Sequence, residues 1–348
     1  MTLRVGLSLQ LTSQADKESL DIAEVVSAAV EAEGLGFDSV WIAEHHFTAG
    51  FCPSPLLLAA AVASRTERIR IGTGVLIAPL YHPLRLAENV CLLDAVSGGR
   101  LILGLGQGYV HQEFAAYGLA RQERTARFLE TVGVLRGVLE QGSPARIAPN
   151  GEKRAPQIWP EPVQHPVPIW IGAYSAAAIR RAARWGYPFF LGGTNLPREL
   201  IVAKYRTYLT AFAERNPGKA PVVPLLQALI VSKDPERVWS RFGNSMTAVM
   251  RDNLRRYGSV VAADATGSYR TVTEEDDPVF ADRQELRRRL LILGPEEAVS
   301  FLSELRGQIP FNYLIIAPPP GLPRMVAQES LELFASRVRP RLMDDEIP

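Results

Sequence analysis

Gly36-Phe37-Asp38-Ser39-Val40-Trp41-Ile42-Ala43-Glu44-His45-His46-Phe47 is the stretch on which the reading of this chain turns. It opens on a glycine of the kind that ends a helix in a left-handed turn. Ser39–Ala43 then forms a short run suited to a strand covered on both faces. Three ionisable side chains follow in a row at its end, Glu44, His45 and His46. Such groups are costly to bury unless they are paired or put to use.

The same alternation continues outward in both directions. Leu3–Leu9 reads as a first strand. Glu18–Glu33 reads as a helix, with Leu20, Ile22, Ala23, Val26, Ala29 and Val30 at helical spacing and Gly34 and Gly36 as its stop. A helix over Pro55–Ser64 precedes a third strand, Ile69–Leu76, and a helix over Leu84–Val96. A fourth strand, Arg100–Leu105, leads into helix Arg121–Leu139. Strand Pro168–Ile171 with helix Ala176–Arg184, and strand Pro188–Leu191 with helix Pro197–Glu214, repeat the unit. Val222–Ser232 is a seventh strand, and Phe311–Ala317 an eighth, closed by helix Pro323–Val338.

Strand–helix alternation implies a parallel sheet. Eight units favour an α/β fold closed as a (β/α)8 TIM barrel, with residues 1–348 as a single domain. No G-x-G-x-x-G follows the first strand, which argues against a dinucleotide fold. Two connections are too long for a plain barrel. Gln141–Pro166 is rich in Pro and Gly. Asp234–Gly294, the largest insertion, follows strand seven and precedes a helix over Glu296–Arg306. It holds a helical stretch, Pro235–Tyr257, then Gly258–Pro278, which is polar and without a clear period. Its place after a barrel strand predicts that 234–294 forms a lid over the active face.

Composition limits the rest. Hydrophobic residues make up 47% of the chain and charged residues 22%, enough for a large core. The formal net charge is +1 with basic residues scattered, which does not suit a nucleic-acid binder. Arg287-Arg288-Arg289, the densest basic run, reads as a solvated helix face. No segment approaches the roughly 18 uncharged apolar residues that would span a bilayer, and Met1–Leu9 is too short and polar for a secretory signal. The two cysteines, Cys52 and Cys91, have neither metal spacing nor a framework of pairs, and a reducing cytoplasm is expected. Cys91 lies on an apolar helix face and reads as core.

Catalytic groups of such barrels gather at the C-terminal ends of strands. That rule singles out Glu44, His45 and His46, because an imidazole there can donate or accept a proton near neutral pH. The bland reading is a histidine that bonds a loop carbonyl; three polar groups together at this place make it the weaker one. His82, His111 and His165 show no H-x-x-x-H or cysteine pairing, so no metal site is expected.

Further segments follow in order: Ile71-Gly72-Thr73-Gly74-Val75, His82-Pro83, Ala87-Glu88, and Leu93-Asp94-Ala95-Val96-Ser97-Gly98-Gly99-Arg100. Gly104-Leu105-Gly106-Gln107-Gly108, Glu113-Phe114, Glu123-Arg124 and Pro168-Ile169-Trp170-Ile171-Gly172 complete the set. Together with Gly36–Phe47 it resembles the bacterial luciferase-like flavin-dependent monooxygenases, densely over residues 3–140, onward through 160–235, and thereafter only in barrel topology.

The resemblance implies reduced FMN across the barrel mouth and O2 addition to give a peroxyflavin that oxygenates an organic substrate. His45 matches the active-site base, with His46 and Glu44 orienting the site. Thr73-Gly74-Val75 matches a non-proline cis peptide under the flavin ring. The phosphate is expected where strand five meets its helix, at Gly172–Ala176, with Ala173, Tyr174 and Ser175 around it. A plain Ser N-cap would give the same local sequence. Gln107 falls in the cofactor set, and Arg124, or Arg127 one turn later, is expected to pair with the phosphate charge. Light-emitting relatives carry a reactive cysteine and an arginine where this chain has Gly106 and Gln107. Neither light emission nor a long-chain aldehyde substrate is therefore implied.

The expected enzyme is a two-component monooxygenase that takes reduced FMN from a separate flavin reductase and acts on a small to medium apolar substrate with O2. One alternative is a deazaflavin-dependent dehydrogenase or reductase of the same superfamily. Another is a non-catalytic flavin-binding subunit, against which the retained His45 argues. Pocket walls are expected from Leu9–Thr12, Phe47–Phe51, Tyr109–His111, Gly192–Asn195 and the lid. The helices after strands two and three, which pack across a two-fold axis in relatives, predict a homodimer.

Overall fold

The computed structural model describes residues 2–9, 11, 21–48, 51–141, 157–191, 196, 198–257, 259–263, 269–272, 283–319 and 321–344. The first half runs β1 (Arg4–Ser8), α1 (Ile22–Gly34), β2 (Ser39–Ile42), α2 (Pro55–Ala63), β3 (Arg70–Thr73), β4 (Leu76–Ile77), α3 (Pro83–Val96), β5 (Leu101–Gly106), α4 (His111–Ala116) and α5 (Arg124–Gln141). The second half runs β6 (Ile169–Gly172), α6 (Ala176–Trp185), β7 (Phe189–Phe190), α7 (Arg198–Arg215), β8 (Pro224–Val231), α8 (Pro235–Tyr257), β9 (Ser259–Ala263), β10 (Tyr269–Val272), α9 (Arg283–Arg289), β11 (Leu291–Leu293), α10 (Pro295–Gln308), β12 (Tyr313–Ala317), α11 (Arg324–Leu333) and α12 (Arg339–Asp344).

Local chemistry sets the helix ends. Asp21 caps α1 by accepting the Glu24 N–H at 3.1 Å. Pro55, Pro83 and Pro295 stand at the starts of α2, α3 and α10, where a missing N–H costs nothing. The helix before β5 turns back through Gly98 and Gly99, both at positive φ. Arg100 then closes that corner on the carbonyls of Ser97, Ile69 and Ala63.

Eight strands form the barrel, all parallel: β1, β2, β3, β5, β6, β7, β8 and β12. β7 and β8 meet at the seam without a shared ladder among the described residues. The eight units expected from the alternation are therefore present. The expected third strand is broken: β3 stops at Thr73, a cis peptide joins Gly74 to Val75, and β4 resumes against the top of β5.

The interior is filled by aromatic rings and not by a channel. Trp41 stacks on Trp170 at 4.6 Å and on Phe190 at 5.5 Å, and meets Tyr313 edge-on at 6.1 Å. Its indole N–H donates to Ser39 Oγ at 2.8 Å. Glycines on the facing strands make room for it. A Cβ at Gly72 would lie 2.3 Å from the Trp41 ring, and one at Gly6 2.4 Å from Ser39 Oγ.

The long segment after β8 differs from a simple loop. In α8, Trp239, Met246 and Met250 are buried in a second apolar cluster with Ile230, Leu286, Leu290, Ile292 and Leu322. β9 and β10 form an antiparallel pair inside the stretch read as aperiodic. β11 is a further strand, paired with the end of β8 from Leu291–Leu229 to Leu293–Val231. The rest of the expected lid, residues 258, 264–268 and 273–282, lies outside the described residues. The basic run is also not a uniformly solvated face. Arg287 pairs with Glu236 at 2.8 Å, and Arg289 is buried. Among the described residues no helix is long and apolar enough to cross a membrane.

Gly104 gives the sharpest packing test. A Cβ there would stand 1.9 Å from the Thr73 carbonyl oxygen, a backbone atom that cannot rotate away. Gly104→Ala should cost about 3 kcal/mol in urea denaturation. Gly133→Ala, on an exposed helical position with nothing within 4 Å of the new Cβ, should instead stabilise by roughly 0.5–1 kcal/mol. Equal behaviour of the two variants would contradict this packing.

Candidate functional site

The C-terminal end of β2 delivers Glu44, His45 and His46 to the barrel mouth. Glu44 is buried, and its carboxylate is fully engaged. It accepts the Ile77 N–H at 2.5 Å and the Tyr81 hydroxyl at 2.7 Å, and His46 Nε2 lies 2.9 Å from the same oxygen as the tyrosine. Its own backbone N–H donates to the Val75 carbonyl at 3.2 Å. One residue thus ties the β2 loop to the segment that follows the cis peptide. Burial, reinforced by the Glu44 charge, pushes the Tyr81 phenol far above its usual range, so it remains a donor.

The two histidines sit in different surroundings. His46 is buried and both of its ring nitrogens are occupied, Nε2 by Glu44 and Nδ1 by the Tyr117 hydroxyl at 3.0 Å. His45 is partly open. Its Nδ1 lies 3.1 Å from Glu113 Oε1, the oxygen that also accepts the His46 backbone N–H at 2.9 Å. Its ring meets Phe51 edge-on at 4.9 Å and Tyr109 at 6.0 Å. Glu113, on α4, is 1% exposed, and its second oxygen is buried with no hydrogen-bond partner among the described residues. Phe47 then turns outward in the left-handed region, φ 58°, rare for a residue with a side chain.

Beside the histidines lies a floor built from small residues. The Gly74–Val75 peptide is cis, as the resemblance implied, and partly open. Thr73 is locked beneath it, donating to the Gly104 carbonyl at 2.7 Å and accepting the Gly104 N–H at 2.9 Å. Val75 fills the hollow over two glycines: a Cβ at Gly106 would come within 2.4 Å of its side chain, and one at Gly172 within 2.8 Å. β6 passes from Gly172 through Ala173 and Tyr174 to Ser175, which caps α6 by accepting the Ala178 N–H at 3.3 Å. The Ser175 N–H has no acceptor among the described residues. The first-turn amides of α6 have none within the helix. Three adjacent open N–H groups at a helix start suit an anion. These residues fit a flat cofactor that ends in a phosphate.

The structure brings together Glu44, His45, His46, Thr73, Gly74 and Val75, with Ala173, Tyr174 and Ser175 on the adjoining strand end. Gln107 accepts from Thr125 at 3.1 Å at the start of α5. Arg124 stands there beside Arg121; burial and then that neighbouring charge lower its pKa. No contact joins Arg124 to Ser175 among the described residues. Arg127 is turned elsewhere, donating to the Pro79 carbonyl at 2.9 Å. Sequence reasoning missed Glu113, Tyr81 and Tyr117 as site residues. Glu113-Phe114 stood in the quoted motif, but nothing in one dimension places it on His45. Of the expected walls, Phe51 and Tyr109 flank His45, while Gln10, Thr12, Ala49, Gly50 and Gly192–Asn195 lie outside the described residues.

Known proteins resemble this chain in sequence and in fold. The model of the luciferase-like monooxygenase family matches residues 2–301. The F420-dependent glucose-6-phosphate dehydrogenase of Beutenbergia cavernae is 30% identical over 239 residues, 66% of this chain and 69% of that enzyme. Some other curated relatives are matched over about half of their own length. Monooxygenase RslO1 from Streptomyces bottropensis superposes with a TM-score of 0.80 at 23% identity, covering 97% of this chain and 99% of that one. The oxygenating constituent of 3,6-diketocamphane monooxygenase from Pseudomonas putida, a type II Baeyer-Villiger monooxygenase in complex with FMN, superposes with a TM-score of 0.75 at 17% identity, covering 98% of each chain.

The two parts of the Glu44–His46 segment should separate by stability. Glu44→Gln cannot accept from three buried donors at once and should cost about 2–4 kcal/mol in urea denaturation. His45→Ala should cost less than about 1 kcal/mol. A loss at His45 equal to that at Glu44 would make His45 a structural residue.

Proposed function

The chain belongs to the luciferase-like monooxygenase family, and from that premise we propose that it is an FMN-dependent monooxygenase. It would receive reduced FMN from a separate flavin reductase and transfer one oxygen atom from O2 to a small or medium apolar substrate. The observation that carries this reading is the place of His45, partly exposed at the C-terminal end of β2 and oriented at Nδ1 by the buried Glu113 carboxylate.

FMN would be held by the amides of Ser175 and the first turn of α6, with Ala173 and Tyr174 around the phosphate and the ring above Gly74–Val75. When bound and reduced, it supplies the electrons that activate O2, one atom going to the substrate and the other to water. The chain's own residues do the rest. Glu113 fixes His45 so that a proton is taken up or released at Nε2. Glu44, His46 and Tyr81 hold the two mouth loops at fixed separation. Phe51 and Tyr109 give the site an apolar wall that favours an apolar substrate and limits water. Arg124, at the start of α5, and Gln107, which accepts from Thr125 there, would pair with the cofactor's polar end.

The F420-dependent relative keeps a second reading in play, hydride transfer with a deazaflavin, and one assay separates them. The purified chain should consume oxygen with reduced FMN and form oxygenated product; hydride transfer to or from F420 without oxygen use would replace the proposal. His45→Ala should lower product formation by roughly 100- to 10,000-fold while oxygen is still consumed and hydrogen peroxide released. Coupling equal to wild type would remove His45 from the chemistry.

We also propose a homodimer through α2 and α3, where Leu57, Leu92 and Val96 leave large apolar side chains exposed. Sedimentation at micromolar concentration should show twice the 38.3 kDa chain mass, and Leu57→Asp should shift it toward monomer. A single species at the chain mass would refute the dimer.

A further inference from the structure

The N-terminal end of the barrel, opposite the histidines, carries a cluster that takes no part in the proposed reaction. Alternation along the strands decides which side chains point inward there. A Cβ at Gly6 would strike Ser39 and Trp41, and one at Gly72 the Trp41 ring, so both positions face the interior. Arg4 on β1 and Arg70 on β3, each one period earlier, face the same way. Tyr313, the register partner of Arg4 on β12, also turns inward, its ring edge-on to Trp41 at 6.1 Å and to Trp170 at 4.9 Å. The three are close enough for both arginine charges to act on the Tyr313 phenol and for Arg4 to act on Arg70.

Their donors are not used up. Tyr313 is 2% exposed, and its hydroxyl has no hydrogen-bond partner. Burial pushes the phenol up to about 12, so the proton is there to be donated at neutral pH. Arg70 donates through Nη2 to Gln164 Oε1 at 2.8 Å and to the Leu101 carbonyl at 3.2 Å, but its buried Nε has no partner. Arg4 is exposed, and its side chain makes no hydrogen bond or ion pair among the described residues. The nearby carboxylates are engaged elsewhere. Asp38 accepts the Val5 N–H at 2.7 Å and the Arg339 guanidinium at 3.3 Å, and Asp94 takes the Gln164 side chain at 2.7 Å and its N–H at 2.8 Å.

Two guanidinium groups thus share one end of the barrel with a buried hydroxyl that has a proton to give. Burial lowers the Arg70 pKa and the Arg4 charge adds to the fall. A water molecule could satisfy the hydroxyl but could not offset two like charges. An oxyanion does both, and its oxygens match the planar fork of a guanidinium.

We propose that the N-terminal end of the barrel binds a small oxyanion of the phosphate or sulfate class, held by Arg4, Arg70 and the Tyr313 hydroxyl. This end of a barrel bears on stability and not on catalysis, so the ligand acts on unfolding.

Thermal unfolding of the full chain, followed against inorganic phosphate with sodium chloride holding the ionic strength constant, tests this. A ligand of the folded chain should raise the Tm along a saturating curve, above the gradual rise that excluded salts give any protein. Arg4→Gln should weaken the apparent phosphate affinity by about 10- to 100-fold, and Tyr313→Phe by about 3- to 10-fold. In chloride alone Tyr313→Phe, which removes a buried donor without a partner, should melt at or above wild type; in saturating phosphate it should melt below it. A tyrosine that served only to pack would not reverse that order. Absence of a saturating phosphate effect in wild type would overturn the site. A saturating effect that survives either substitution unchanged would put the oxyanion elsewhere, such as the start of α6, and would overturn it equally.

Discussion

The buried carboxylate of Glu44 is the constraint on which the mouth of this barrel depends. It collects three donors from three places in the chain: the Ile77 amide, the Tyr81 hydroxyl and the His46 ring. A carboxylate taken out of water requires that many partners. The cost of leaving any of them unpaired fixes the separation of the β2 and β3 loops. His45 and the Gly74–Val75 peptide ride on those two loops. Glu113 adds a second buried carboxylate that binds His45 and the His46 backbone through one oxygen. The site is therefore held by acids that themselves sit behind it.

Below the site the barrel is rigid for a different reason. Trp41 occupies the centre, and the strands around it give way at Gly6 and Gly72. At the top the same device recurs on a smaller scale, where Val75 covers Gly106 and Gly172. Close packing of this kind is hard to compress. It gives the groups above it, the partly exposed His45 ring and the amides at the start of α6, a floor of constant shape.

The alternation of apolar runs and amphipathic stretches was enough to place the eight barrel strands, because each strand is buried and several helices open on a capping side chain or a proline. The break at Gly74 was not legible in the apolar pattern of Ile69–Leu76, since apolar runs carry no trace of a cis bond; only the resemblance pointed to it. β11 is three residues long, too short for any period to appear. The basic run at Arg287–Arg289 looked solvated because sequence cannot show that Arg289 turns inward. In the site, Glu44, His45 and His46 were found together because they adjoin in sequence. Glu113 was missed because it is an ordinary charged residue on a helix until the fold brings it to His45. Arg124 illustrates the converse: its motif was legible, but no contact joins it to Ser175 among the described residues.

The most direct measurement is a crystal structure of the chain with FMN bound. The phosphate should lie within about 2.7–3.2 Å of the Ser175 amide, with the flavin ring over the Gly74–Val75 peptide and His45 at its edge. A flavin seated at the N-terminal face of the barrel, or a phosphate away from the start of α6, would contradict this account of the site.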